Sequence, residues 1–100
     1  MPPNLCLLGC VFIMSEYSMV YSTDELESWR HQIVNHGGEV ENFYSSRITH
    51  VVCPHQRSSL AHLALREGRR LVSAFWLNDV LMKQRMLPPW QALHVPLAFK

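Results

Sequence analysis

The chain has 100 residues, 48% hydrophobic, 17% charged and 10% aromatic, which suits one folded domain and excludes disorder. About 65% of the unfolded surface is buried at this length, enough for one layered core but not for a catalytic domain with a separate substrate domain. The formal charge of +1 gives no general attraction to nucleic acid or to an acidic membrane.

The longest apolar run, Leu5 to Met14, is interrupted at Gly9 and Cys10 and is too short to span a bilayer. It also lacks the basic start and small-residue cleavage site of a signal peptide. Within it, Leu7 to Met14 has the near-continuous apolar character of a strand covered on both faces, as in parallel sheets. After a polar stretch, Ser22-Thr-Asp-Glu25 has capping-box spacing and predicts a helix start. That helix places Leu26, Trp29 and Ile33 on one stripe, with Glu27 ahead of Arg30 and His31 on a wetter face. His36-Gly37-Gly38 ends it, because glycine accepts a left-handed turn without steric cost.

Glu39 to Phe43 alternates weakly and predicts a short edge strand. Ile48 to Cys53 is a second covered strand, stopped by Pro54. Ser58 or Ser59 caps a helix carrying Leu60, Leu63, Ala64 and Leu65, which Gly68 ends. Arg70 to Val72 is another short strand. Ser73 caps a last helix that turns Trp76, Leu77, Val80 and Leu81 inward and stops before Pro88-Pro89. From there an extended tail runs on, with Trp90, Leu93 and Phe99 available to pack on the domain or on a neighbour. The element order is β-α-β-β-α-β-α, and there is no internal repeat or low-complexity tract.

Charge is unevenly spread. Residues 1–45 hold six acids and one base, residues 46–100 eight bases and two acids. One reading is a basic nucleic-acid face in the second half. The other, favoured because the bases are scattered and have few aromatics among them, is that acids open the first helix and bases close the later ones. Three cysteines without an export signal read as reduced thiols in an intracellular protein. Cys53-Pro-His55 has no second half that would complete a metal site, so no metal and no other cofactor is expected. Cys53 and His50 lie three apart in one strand and point to opposite faces, which removes them as a nucleophile–base pair. The chain is therefore not expected to be an enzyme.

Gly9 in the first strand, the His36-Gly37-Gly38 turn, Thr49-His50-Val51-Val52 and Val72-Ser-Ala-Phe-Trp76-Leu77 occur in an order and at spacings that resemble a BRCT domain, the breast-cancer-protein C-terminal repeat. The resemblance covers residues 8–87. It leads us to treat the chain as a single BRCT domain, 1–100, with a core over about 8–87 and a tail over 88–100, being one repeat of a larger protein. It implies an α/β fold of three layers: a four-stranded parallel sheet in the order 2-1-3-4, with the first and third helices on one face and the second on the other. It makes Gly37, Gly38, Thr49 and Trp76 structural, with the Trp76 indole anchoring the third helix to the sheet. It further implies a non-catalytic protein–protein interaction module of a nuclear scaffold in DNA-damage response and chromatin regulation. Such a module works beside an adjacent BRCT repeat, and Leu60, Leu63 and Trp90 are candidates for the inter-repeat surface.

Many BRCT domains bind phosphoserine with a Ser or Thr and a Gly just after the first strand and a Lys near the start of the second helix. A doubly charged phosphate suits a hydroxyl, backbone amides and a cation. By resemblance the Ser position is Ser15, but the Gly position is Glu16 and the Lys position is Leu60. Asp24 and Glu25 are expected near the same sheet edge and repel phosphate. Arg57, Ser58 and Ser59 are the candidate substitutes. The alternatives are thus a phosphopeptide-binding repeat with a non-standard pocket, or DNA or poly(ADP-ribose) binding through the basic half.

Overall fold

The computed structural model describes residues 5–14, 22–54, 56, 59–86, 88–89 and 94–95. In chain order the elements are β1 (Val11–Met14), α1 (Thr23–Asn35), β2 (Glu39–Val40), β3 (His50–Val52), α2 (Ser59–Arg66), β4 (Arg70–Val72) and α3 (Ala74–Lys83). The strands form one sheet in the order β2-β1-β3-β4, and every neighbouring pair is parallel. This is the expected architecture. No helix among the described residues is long and apolar enough to cross a membrane.

Alternation along each strand divides the core in two. Phe12, Val52 and Val72 face one way, against Ile33 of α1 and Ala74, Trp76, Leu77, Val80 and Leu81 of α3. Val11, Ile13, Val51 and Cys53 face the other way, against Ala61 and Ala64 of α2. Two helices therefore cover one face and a single helix the other. Apolar runs with no polar alternate are what such doubly covered parallel strands require.

The first strand is shorter than its apolar run. Residues 5–9 form a turn instead, because Gly9 takes φ +86° and the Leu8 amide donates back to the Leu5 carbonyl at 3.0 Å. Leu7 is nonetheless fully buried, which accounts for the continuous apolar pattern. The predicted second strand also contracts, to Glu39–Val40, with a bend at Asn42 and Phe43.

Turn chemistry defines α1 at both ends. The Ser22 hydroxyl accepts from the Glu25 amide at 3.2 Å, supplying one of the helix's otherwise unpaired donors. At the other end the Gly38 amide donates to the Ile33 carbonyl at 2.9 Å and the Gly37 amide to the Val34 carbonyl at 3.0 Å, the paired bonds of a Schellman motif. Gly37 has φ +90°. Gly38 is needed for space, since a Cβ there would lie 2.8 Å from Ile33 Cγ2 and 3.2 Å from Leu7 Cβ. The close approach is to α1 itself and to the turn before β1. Ser73 holds the N-cap position of α3 in extended geometry, but its side chain makes no capping hydrogen bond. The charge pattern follows the helices: Asp24 and Glu25 sit in the first turn of α1, Arg66 in the last turn of α2 and Lys83 in the last turn of α3.

Candidate functional site

All strands being parallel, their carboxyl ends and the starts of the helices that follow share one edge of the sheet. Met14, Val52 and Val72 end their strands there, while α1, α2 and α3 begin there. Of the phosphate-site positions expected from sequence, Ser59 and Leu60 open α2 at this edge. Ser15, Glu16, Arg57 and Ser58 lie outside the described residues, as does Trp90. Ser59 is the first residue of α2 and is exposed. Asp24 and Glu25 are exposed in the first turn of α1, whereas the first turn of α2 holds no acid.

Leu60 is half-buried and packs against the α2-side core beside Ala61 and Ala64. The side chain is thus spent on that core. Leu63 is half-buried on the same helix and Leu65 is exposed. Leu60 and Leu63 thus sit at the rim between the core and the outer surface of α2.

Thr49 and Trp76 both join elements of the fold. The Thr49 hydroxyl accepts from the Val11 amide at 2.9 Å and lies 2.8 Å from His50 Nδ1, joining β1 to β3. Trp76 is buried, its ring stacked on His50 with centroids 5.2 Å apart and planes 17° apart. Phe12 completes the group, 4.9 Å from the His50 ring. Burial, with Arg70 adding a repulsive positive charge, lowers the His50 pKa from the ordinary 6.5 to about 4, so at neutral pH the ring is uncharged. Trp29 reinforces the helix pair by donating from Nε1 to Asn78 Oδ1 at 3.1 Å.

Three features have no clear signal in the sequence. His94 is fully buried, donating from Nε2 to Asp79 Oδ2 at 2.6 Å and accepting the Ser73 amide on its carbonyl at 2.9 Å. Arg47 is clamped by Glu39 and Glu41, which ties the turn before β3 to β2. Tyr44 donates to Glu67, joining the loop after β2 to the end of α2. Polar partners six to 23 residues apart leave no periodic trace.

A three-layer module whose parallel sheet ends in an edge of helix starts, with one buried indole pinning the last helix, defines the class. Residues 2–81 match the BRCA1 C Terminus (BRCT) domain model, and the chain belongs to the BRCT family. It is 46% identical over 99 residues to the mouse (Mus musculus) PAX-interacting protein 1, covering 98% of this chain and 9% of that protein's length. The C-terminal BRCT domain of human XRCC1 has the same fold, with TM-score 0.78 and 19% identity over 99% of this chain and 100% of that one. The Rad4 BRCT1,2 pair, solved with a Crb2 phosphopeptide, is likewise similar in fold, with TM-score 0.74 and 17% identity over 86% of this chain and 45% of that one.

Proposed function

We propose that the chain is a non-catalytic protein–protein interaction repeat of a nuclear DNA-damage-response and chromatin scaffold, working beside an adjacent BRCT repeat and not as a free-standing phosphoserine reader. The observation that carries the reading is Leu60: at the position where the family's phosphate pocket has lysine, this side chain is packed on the core. Exposed Asp24 and Glu25 on the same edge oppose a doubly charged ligand. The Rad4 pair is a relative in fold that holds a phosphopeptide, so the contrast lies in the pocket residues. The span 1–100 is taken as one repeat, and Leu60, Leu63 and Trp90 as part of its surface toward the neighbour.

Calorimetric titration with matched phosphoserine and unphosphorylated peptides tests this. Binding that does not depend on the phosphate, or no binding, is the expected result. Submicromolar, phosphate-dependent binding that is lost in Ser15→Ala or Arg57→Ala overturns it and establishes the non-standard pocket instead.

A further inference from the structure

The amino-terminal edge of the sheet, opposite the helix starts, carries a cleft of about 340 Å³. Cys10 before β1, His50 of β3, Arg70 of β4 and Trp76 of α3 line its inner side, and Met86, Pro88 and Pro89 beyond α3 its outer side. His50 and Trp76 are 5% and 1% exposed and close the bottom. Arg70, Met86 and Pro88 are exposed, and Cys10 and Pro89 are half-buried, so these are the groups that a ligand meets.

The lining is neutral at every group but one. Burial, and after it Cys6, raise the Cys10 thiol against the opposing pull of Arg70, so the sulfur is uncharged at neutral pH. His50 is uncharged there as well. The Arg70 guanidinium is thus the only charge among the lining residues. Proline presents no N–H group, and a methionine wall adapts to the shape of an apolar guest. The cleft therefore suits an apolar group with an anion at its mouth.

The surrounding edge has the same sign. The carboxyl ends of α2 and α3 meet it, and Arg66 and Lys83 in their last turns offset the partial negative charge of those ends. Arg70 and Arg85 are then surplus, since both are exposed and neither makes a salt bridge among the described residues. Glu67 accepts from Tyr44, with Arg69 beside the pair. Glu39 opens β2 on the same edge, but it pairs with Arg47 and lies three strand spacings from β4, roughly 14 Å. Nucleic-acid affinity comes from neutralising many phosphates, and two surplus guanidinium groups beside an apolar cleft fit a peptide better.

We propose that this cleft docks a linear acidic peptide, one aromatic side chain filling the space between Arg70 and Met86 and a neighbouring carboxylate pairing with the Arg70 guanidinium. The site is at the opposite edge of the sheet from Leu60 and acts without the adjacent repeat, so its failure leaves the reading above untouched.

The test is a chemical-shift titration of the 100-residue chain with the end-blocked peptide Glu-Asp-Phe-Asp-Glu. Two control peptides replace the phenylalanine with alanine, or the acids with glutamine and asparagine. Saturable shifts are expected at the Cys10, Arg70 and Met86 amides. Losing the phenylalanine weakens binding about tenfold or more. Losing the acids, or Arg70→Gln, weakens it about threefold to fivefold, as for a partly exposed ion pair. Arg70 joins β3 through its backbone, its amide donating to the Thr49 carbonyl at 3.0 Å, and its side chain is exposed, so glutamine there leaves the fold intact. Absence of saturable shifts at millimolar peptide, equal binding of either control peptide, undiminished binding by Arg70→Gln, or tighter binding of duplex DNA at the same amides overturns the proposal.

Discussion

On one face of the sheet, Trp76, Phe12, Ile33 and Leu77 fill the space between the strands and two helices. On the other, Ala61 and Ala64 bring one eight-residue helix against Val11, Ile13, Val51 and Cys53. The two faces hold by different means. Large rings and branched chains give the α1–α3 side its buried area, while the α2 side depends on small residues that let a helix lie close to the pleat. Larger apolar residues on α2, Leu60, Leu63 and Leu65, are left at its rim or in solvent. Stability is thereby concentrated on one face, and the opposite helix has an outer surface available to a neighbour.

Truncating the large-residue face is expected to have the greatest effect. Trp76→Ala removes a side chain that is 1% exposed and destabilises by ~3–5 kcal/mol, a large part of the ~5–15 kcal/mol typical of a domain. Urea unfolding followed by circular dichroism measures it, and a loss under 1 kcal/mol would break the distinction between the faces.

Acidity sharpens the same comparison, since His50 also lies on the large-residue face, enclosed by Phe12, Trp76 and Arg70. Its folded pKa of about 4 lies below the ordinary 6.5, so the unfolded chain takes up this proton first. The contribution is full above pH 6.5 and declines as pH falls toward 4, by about 3 kcal/mol. Comparing the pH dependence of the urea midpoint in the unaltered chain and in His50→Leu isolates this residue among the six histidines. Equal slopes between pH 6.5 and 4 would refute it.

The α2 side responds to added volume more than to removed volume. Ala64 is fully buried, and Ala64→Leu forces the helix away from the sheet at ~1–3 kcal/mol. A variant as stable as the parent chain would mean that the alanines do not set the helix–sheet distance.

The sequence made the architecture legible wherever the deciding interactions are local or periodic. Ser22, the Gly37-Gly38 turn and the inward stripe of α3 rest on turn chemistry and the helical repeat, and each stands as read. The start of β1 was misjudged because an apolar run reports burial and not backbone direction. Leu7 is buried in a turn as completely as Phe12 is in a strand. Of the candidate partner residues, Leu60 was set against the family's lysine by resemblance, but that it packs on the core needed three dimensions. The cleft around His50 was not legible at all. It is lined by Cys10 before β1, His50 of β3, Arg70 of β4, Trp76 of α3 and Met86, Pro88 and Pro89 beyond it, and only folding brings them together.

The link between His94, Asp79 and the Ser73 amide has a practical consequence for where this repeat can be divided. A polypeptide severed after Lys83 keeps all seven strands and helices from β1 to α3, yet leaves the Ser73 amide without its acceptor and uncovers the surface that a fully buried imidazole had sealed. Boundaries drawn at the last helix would thus yield a fragment with correct topology and a weakened closure, and its behaviour would be a poor guide to the intact repeat.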